Sequence, residues 1–440
     1  MKKIYFLTAS FCLLMSFAGS TLSSTVVATT EDPKAMGYPD GRKVVRDAKN
    51  NIYVAFRKKQ GGAYKIFVSK SSDNGNIWNL TNHSQPISVI KGSCNQRVPA
   101  IAIDTKNVLH LVWYGLDTNC SDSKSNERQI KYSSSSNGGN TWTEAKNIAP
   151  ISGYKDSFEF EGKTVNQIYW QEHPVIYIDK TDKIYIVWEG RDAVSYATSQ
   201  AKFIKSDDNG KSWTKWKNVG QNASSQSRPT IIVDKKGVIF VFVYGKTAEA
   251  QQTSLVFTTS SDEGATFSNW KKVSESLYDQ RHVSAAIDEQ NIIHLVWRQR
   301  DEVSPNKAVI KYAKYLDKNW TKPISVGITP GVNQYFPSIS TAFDSQIIIW
   351  TETPEESNYP SEEPTKGKIV LAKKQADESA WKKSDLTRFG TDVWASIGWS
   401  PIVFGDSIDL VFLSGSNGEF NVQFQTLGNW VKRSKKTDKN

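Results

Sequence analysis

One pattern of hydrophobic and polar positions recurs along the chain: a short apolar run ending in Asp, a polar turn, and a second apolar run. The clearest copies begin at residues 97, 173, 228 and 281, and weaker copies begin near Arg42, Tyr335 and Ser400. Apolar runs of this length between turn residues indicate β-strands. The pattern therefore predicts an all-β protein built from seven similar units of antiparallel strands.

A shared turn closes four of these units. It reads Ser-x-Asp-x-Gly-x-x-Trp, with Asn or Phe as variants, and its copies end at Trp78, Trp142, Trp213 and Phe267. Asp or Asn accepts hydrogen bonds from the backbone N–H groups that follow it, and Gly adopts a positive φ. The aromatic residue is expected to pack back on its own hairpin. We therefore expect these turns to hold the hairpins and to take no part in chemistry.

A single unit of three or four strands cannot bury both faces of its sheet, whereas units stacked around an axis can. The repeat thus predicts a β-propeller. Seven units predict seven blades, and a six-bladed propeller with an appended hairpin is the alternative. The four turns resemble the Asp-box, or BNR, repeats of the sialidase superfamily. This resemblance implies a sialidase-like propeller, but it specifies activity less well because many Asp-box propellers are not sialidases.

The N-terminus has the three parts of a secretory signal peptide: Lys2 and Lys3, the apolar run 4–18, and small or polar residues up to Ser24. We expect a signal at residues 1–24, with cleavage near Ser20 or Ala28, a propeller at 38–431 and a basic tail at 432–440. The protein is then secreted or periplasmic. Beyond the signal, no apolar run approaches the length that a membrane-spanning helix needs.

Charge and cysteine content narrow the range of partners. The net charge is +10, but the signal and the tail carry much of the excess, so we expect no nucleic-acid partner. Cys12 lies in the signal. Cys94 and Cys120 are the pair that remains in an exported chain, so we predict a disulfide between them.

Three arginines at the starts of first strands are the main candidates for ligand binding. In a propeller these positions surround one mouth of the central channel, and Arg97, Arg228 and Arg281 occupy nearly equivalent places in their units. Guanidinium groups that converge repel one another unless an anion lies between them or carboxylates interleave. An acidic glycan is the predicted ligand. The alternative is that Glu172, Glu189 and Glu352 neutralise the arginines.

Other side chains at this mouth suit a sugar ligand. Trp170 offers a flat face for a sugar ring, and Glu189 and Arg191 follow the second strand of the third unit. His173 and His282 are candidates for acid–base work because imidazole titrates near neutral pH. There is no metal-ligand spacing of the His-Glu-x-x-His kind and no cysteine cluster, so neither a metal nor a cofactor is expected.

The resemblance to sialidases implies an arginine triad for a carboxylate and a tyrosine nucleophile assisted by a glutamate. Tyr335 is the candidate nucleophile, and Glu172 is the candidate base that activates it. The sialidase motif that carries the first arginine of the triad is divided between two units. Arg97-Val98-Pro99 opens the second unit, whereas the strand that follows this motif in sialidases resembles Glu189 to Arg191 of the third unit. The main hypothesis is thus recognition of an acidic glycan, with or without glycosidase activity. The alternatives are an active exo-sialidase, a polysaccharide lyase acting on uronates, and a non-catalytic protein-binding propeller.

Overall fold

A computed structural model of the protein describes most of the chain. It covers residues 23–88, 94–116, 128–151, 154–160, 162–193, 198–220, 223–247, 252–300, 302–303, 307–342, 345–354, 364–375, 378–399 and 407–427. Within these ranges the fold is all-β apart from one 3-10 turn at Asn82–Ser84. No helix among the described residues is long and apolar enough to cross a membrane.

Seven antiparallel sheets form the blades of a propeller, and the N-terminal strand β1 (Thr25–Thr30) belongs to the last of them. From the channel outwards, blade one comprises β2 (Val44–Arg46), β3 (Ile52–Gln60), β4 (Ala63–Ser71) and β5 (Asn79–Leu80). Blade two comprises β6 (Gln96–Ile103), β7 (Leu109–Gly115), β8 (Gln129–Ser135) and β9 (Lys146–Asn147). A separate hairpin then follows, made of β10 (Tyr154–Phe160) and β11 (Lys163–Ile168).

Blades three to five repeat this order. Blade three contains β12 (Trp170–Ile178), β13 (Ile184–Arg191), β14 (Gln200–Ser206) and β15 (Lys217–Asn218). Blade four contains β16 (Ala223–Val233), β17 (Ile239–Thr247), β18 (Ser254–Ser260) and β19 (Lys271–Lys272). Blade five contains β20 (Gln280–Ile287), β21 (Ile293–Arg300), β22 (Ala308–Leu316), β23 (Asn319–Trp320) and β24 (Ile324–Ser325).

The last two blades complete the ring. Blade six contains β25 (Val332–Ala342), β26 (Ser345–Pro354), β27 (Lys368–Gln375) and β28 (Lys382–Asp385). Blade seven contains β29 (Val393–Ile397), β30 (Ile408–Ser416) and β31 (Glu419–Leu427), and β1 is its outermost strand. The first strands of successive blades contact one another, so they line the channel. The prediction of seven blades is confirmed, and the six-bladed alternative is wrong.

The N-terminal strand closes the ring. β1 pairs antiparallel with β31, so the two ends of the chain share one sheet. The main-chain hydrogen bonds between them hold the last blade next to the first. The propeller therefore begins at Thr25, and the predicted start at residue 38 is too late. Sequence reasoning missed this strand because Thr25–Thr30 lacks the repeat that marks the other blades.

The core lies between the blades. Four tryptophans near the ends of second strands are fully buried: Trp113, Trp188, Trp297 and Trp350. One of the core clusters joins residues of β6 and β7 to residues of β12 and β13 across the gap between two blades. Truncating a buried tryptophan to Ala in such a core costs about 3–5 kcal/mol. The blades therefore stabilise one another through apolar contact.

The four repeated turns have the expected hydrogen bonds. In the first turn, Ser71 Oγ donates to Asp73 Oδ1 over 2.7 Å, and the Ile77 N–H donates to the same carboxylate over 2.9 Å. The glycines of the four turns have φ between +81° and +92°. The aromatic residues, however, pack on the preceding blade. Trp213 contacts Tyr132 and Phe267 contacts Phe203, with ring centroids 5.0 and 5.3 Å apart.

Candidate functional site

A β-bulge near the start of the first strand shapes the channel mouth in six blades. The pairing of first and second strands shifts at this point from blade two to blade seven. The bulge residue has a positive φ in every case: Val98, His173, Arg228, His282, Phe336 and Trp394. A bulge redirects a side chain out of the regular alternation of the strand. The structure thus places one side chain from each of these blades around the channel.

Tyr38 lies at the centre of these side chains. Its ring stacks on His282 with centroids 5.9 Å apart and meets His173 edge-on at 5.4 Å. Phe336 and Trp394 contact it edge-on at 5.7 and 5.1 Å. Blades three and five to seven thus contact one aromatic ring, which comes from the segment that links β1 to blade one. Sequence analysis missed Tyr38 because it lies outside the repeat.

The bulge also corrects the predicted equivalence of the three arginines. Arg97 and Arg281 directly precede a bulge residue and pair across the sheet with Tyr114 and Arg298. Arg228 is itself a bulge residue, and its guanidinium carbon lies 3.4 Å from the centre of the Tyr38 ring. The three arginines therefore occupy two kinds of position. Arg228 is held at the hub, by which we mean the bulge side chains around Tyr38. Arg97 and Arg281 lie at the rim, the outer edge of the same mouth.

Arg228 is the charged centre of the hub. Its Nη1 lies 3.5 Å from Asp40 Oδ2, and its Nε lies 3.7 Å from Glu189 Oε1. Its backbone N–H donates to Glu189 Oε2 over 3.1 Å. Burial raises the pKa of Asp40 and of Glu189, and Arg228 opposes both shifts. The neighbouring carboxylates and tyrosines raise the pKa of Arg228, although burial alone would lower it. The predicted pairing of Glu189 with an arginine is present here.

His173 lies between Arg228 and two glutamates. Arg228 Nη1 lies 3.0 Å from His173 Nδ1, and His173 Nε2 lies 3.3 Å from Glu172 Oε2 and 3.7 Å from Glu189 Oε1. A guanidinium can only donate, so Nδ1 is the acceptor and Nε2 carries the proton. Burial and the nearby cations Arg228 and Lys43 hold the pKa of His173 well below its ordinary value. His173 is therefore neutral, with both ring nitrogens in use.

Glu172, His173 and Glu189 have ligand atoms within 4.8 Å of one another, a spacing that suits a metal ion. Glu172 and Glu189 are cross-strand partners, so their like charges need compensation. Arg128 contacts Glu172 and Arg228 contacts Glu189, and these guanidiniums supply it. A cation would have to displace them. The donor set is thus better suited to arginine than to a metal.

His282 differs from His173 in having no hydrogen-bond partner on either ring nitrogen within the described part of the chain. It is 2% exposed and lies among Tyr38, Tyr244 and Phe336, the last with ring centroids 4.8 Å apart. Burial, and then the charges of Arg298, Arg228 and Arg281, hold the pKa of His282 well below its ordinary value. It is a neutral imidazole with a free lone pair.

The rim of the mouth is more open than the hub. Arg97 is exposed, and the Arg281 side chain is 27% exposed, with Nη2 lying 3.5 Å from Asp279 Oδ2. Trp170 is partly buried, and the Arg191 guanidinium lies over its ring at 5.8 Å. These four predicted ligand-binding residues are therefore accessible from solvent to different degrees.

Tyr335 and Glu172 do not form the predicted nucleophile–base pair. Glu172 belongs to blade three, where it contacts Arg128 and His173. Tyr335 belongs to blade six and is 2% exposed, with the Arg298 guanidinium 5.4 Å from its ring centre. No hydrogen bond joins the two side chains. The resemblance to sialidases suggested the pair, but the two residues belong to blades three and six, which are not neighbours in the ring.

Cys94 is buried beside the start of β6. Its predicted partner Cys120 lies outside the described residues, as do most of the predicted signal peptide and the predicted basic tail. The disulfide therefore stays a prediction.

Sequence reasoning missed Tyr38, Phe336 and Trp394 at the hub, and one signal could have found two of them. A proline directly follows Tyr38 and four of the bulge residues: Val98, His173, Arg228 and Phe336. Proline restricts the backbone of the residue before it. In blades two, three, four and six the X-Pro pair therefore coincides with the bulge position.

No family model and no curated protein matches the sequence. Solved structures do match. An ulvan lyase of polysaccharide lyase family PL25 has a TM-score of 0.58 at 9% identity, covering 94% of this chain and 96% of that one. The intramolecular trans-sialidase from Ruminococcus gnavus has a TM-score of 0.51 at 10% identity, covering 77% of this chain and 95% of that one. The leech intramolecular trans-sialidase gives 0.51 at 11% identity, covering 92% and 93%. At these identities the likeness concerns the fold, which is that of a sialidase-like β-propeller.

Proposed function

We propose that the protein recognises an acidic glycan at the channel mouth formed by Arg97, Arg228 and Arg281. The observation that carries this proposal is a concentration of arginines around one mouth. Arg97 pairs across the sheet with Tyr114, whose ring contacts His173 beside Arg228. Arg281 directly precedes His282, which stacks on the Tyr38 ring that Arg228 also contacts. Arg228 belongs to both groups. Cations gathered in this way attract an anionic ligand.

The inner and outer arginines have different tasks. Arg228 and Arg57 are held by buried carboxylates, so they shape the hub and keep it rigid. Arg97 and Arg281 lie nearer to solvent than Arg228 does. Binding of a ligand carboxylate or sulfate there has a lower desolvation cost than at the buried hub. Trp170 is partly exposed and offers an aromatic ring to a sugar. Anion contact at the rim and sugar stacking beside it together suit an acidic sugar chain.

A uronate lyase is the second candidate, and His282 is the observation that favours it. In β-elimination a base removes the C5 proton of the uronate, the C4–C5 double bond forms, and the C4–O bond breaks. The departing oxygen then takes a proton from an acid. A neutral imidazole with a free lone pair suits the first step, and Tyr38 stacks on that imidazole and carries a hydroxyl for the last. An ulvan lyase of similar fold is described as bound to -[GlcA(1-4)Rha3S]-.

Hydrolysis through Tyr335 has less support. A tyrosine needs an adjacent base to become nucleophilic at neutral pH. Glu172, the predicted base, contacts Arg128 and His173 instead. A fluorogenic sialoside is the direct test. Release of the fluorophore that Tyr335→Phe abolishes would restore the exo-sialidase alternative.

The binding test compares two ligands with the same backbone, an oligomer of β-1,4-linked glucuronate and the neutral cello-oligosaccharide of equal length. We expect Arg97→Gln and Arg281→Gln each to weaken binding of the glucuronate about 3- to 10-fold, since each removes one charged contact. High salt should weaken it as well. Lys271→Gln is the matched control, because Lys271 is exposed on the outermost strand β19. Equal losses in all three variants would contradict the proposal.

The lyase test uses the same glucuronate and follows ultraviolet absorbance of an unsaturated product. His282→Gln should abolish the signal and leave binding by the rim arginines in place. Binding without any product would leave a non-catalytic glycan-binding propeller as the conclusion.

We infer that the protein is exported and that residues 1–24 are its signal. β1 begins at Thr25, so cleavage near Ser20 leaves the strand whole. Cleavage near Ala28 would remove Thr25–Ala28 from the sheet that closes the ring. The fold thus supports the earlier of the two cleavage sites. A disulfide between Cys94 and Cys120 would suit an exported chain, and a thiol assay on the exported protein tests it.

A further inference from the structure

The opposite mouth of the channel contains a cavity of about 400 Å³ that the proposed function does not use. Tyr177, Val233, Ile287 and Thr341 line it, and each lies at or near the far end of a first strand, in blades three to six. Trp399, which follows β29, completes the lining from blade seven. Cavities of this size with an apolar floor and a few polar groups are typical of small-molecule sites.

Two aromatic rings form the apolar floor of this cavity. The rings of Tyr177 and Trp399 lie with centroids 5.7 Å apart and planes inclined by 30°. Hydrogen bonds fix both of them. Trp399 Nε1 donates to Thr341 Oγ1 over 3.1 Å, and the Tyr177 hydroxyl donates to the Val233 carbonyl over 3.0 Å. Trp399 is partly exposed. A ligand with a flat apolar face therefore meets a rigid aromatic surface.

The rim of the cavity is polar and nearly balanced in charge. It carries four lysines and five carboxylates. Several of these groups already pair, as Lys183 does with Glu263 at 2.8 Å, and Asp179 accepts a hydrogen bond from the Tyr185 hydroxyl over 2.9 Å. A rim of this kind gives no net attraction to an ion, but it offers donors and acceptors in equal supply. A neutral molecule with many hydroxyl groups can use both the donors and the acceptors of such a rim.

We propose that this cavity binds a neutral pyranose, as a mono- or disaccharide, with one sugar face on Trp399 and hydroxyls at the Asp and Lys rim. A pyranose combines an apolar C–H face with a ring of hydroxyls, which matches the floor and the rim. The two ends of the channel then differ in chemistry: arginines select an acidic ligand at one mouth, and an aromatic floor selects a neutral sugar at the other.

The two mouths are separated by Arg42. Its guanidinium donates to Ala285 O over 2.8 Å, to Ser338 Oγ over 3.0 Å and to Ile397 O over 3.2 Å, so it bridges blades five, six and seven. The adjoining channel space, which Asp40 and Arg42 also line, measures about 30 Å³. That volume holds roughly two water molecules. A sugar at the second mouth therefore does not reach the arginines of the first.

Saturation-transfer NMR of the mature protein with cellobiose, maltose and lactose tests the proposal. At least one of them should receive saturation on the protons of one sugar face. Trp399→Leu should weaken that binding about tenfold, as expected for loss of aromatic stacking. Ile287→Trp, which fills the cavity and keeps Trp399, should abolish it. Far-ultraviolet circular dichroism checks that both variants are folded.

Crossed controls separate this proposal from the one for the first mouth. Arg281→Gln should leave binding of the neutral disaccharide unchanged, and Trp399→Leu should leave binding of the glucuronate oligomer unchanged. The proposal is overturned if no neutral disaccharide receives saturation, or if folded Ile287→Trp binds as well as the wild type. It is also overturned if indole binds in the cavity while all three sugars do not.

Discussion

Replacing Arg228 by Gln should destabilise the whole propeller. The substitution removes the guanidinium that lies between Asp40, Glu189 and His173 and under the Tyr38 ring. The Asp40 and Glu189 side chains are 4% and 6% exposed, so water cannot replace the lost partner. Breaking a buried ion pair by removing one partner costs about 3–5 kcal/mol. We expect the free energy of unfolding to fall by that amount.

A second substitution shows whether the loss comes from unpaired charge. Asp40→Asn in the Arg228→Gln background removes one of the two uncompensated carboxylates. The double variant should therefore be less destabilised than the sum of the single variants, by at least about 1 kcal/mol. Arg281→Gln is the control, because Arg281 is partly exposed at the rim, and its effect should stay within about 0.5 kcal/mol.

Urea unfolding at pH 7, followed by tryptophan fluorescence and by circular dichroism, supplies the measurement. The two probes must give coincident transitions before free energies are compared, because a chain of seven blades can unfold in more than one step. A loss below about 1 kcal/mol in Arg228→Gln would refute the reasoning. Strict additivity in the double variant would refute it too, since it would mean that Arg228 and Asp40 do not interact.

Three further predictions concern pH, turn geometry and processing. Because the pKa of His282 is depressed in the folded protein, only the unfolded chain binds a proton there below about pH 6.5, and the protein loses stability as the pH falls. His282→Gln should remove about 1.4 kcal/mol per pH unit from this dependence. Urea titrations at pH 5 and 6 measure the difference. Gly264→Ala would place a Cβ 2.3 Å from Phe203 Cε1 at φ +84° and should lower the free energy of unfolding by over about 2 kcal/mol. Gly237→Ala, at φ +80° in open space, should lower it by about 1 kcal/mol. Equal melting temperatures for the two variants would contradict this account. Mass spectrometry of the exported protein should find an N-terminus before Thr25.

The candidate site was only partly predictable. The mouth, the histidines and most of its arginines followed from strand order, because antiparallel neighbours return to the same end of a sheet. The bulge was not anticipated, and it moved Arg228 out of register with Arg97 and Arg281. The pairing of Tyr335 with Glu172 stays a prediction, and the contacts of Glu172 with Arg128 and His173 do not support it. Sequence repeats show which positions are equivalent, but they do not show which side chains pair at the channel mouth.

The sequence by itself determined the repeated strands, the seven blades and the turns that close them, since these depend on local apolar runs and on Asp, Gly and aromatic residues at fixed spacing. Only the tertiary structure decided how the ring closes and what lies at its hub. β1 completes the seventh blade, and Tyr38 meets side chains of blades three to seven, which are 135 or more positions away in the sequence. Such contacts leave no local pattern, because the partners are brought together by the circular order of the blades.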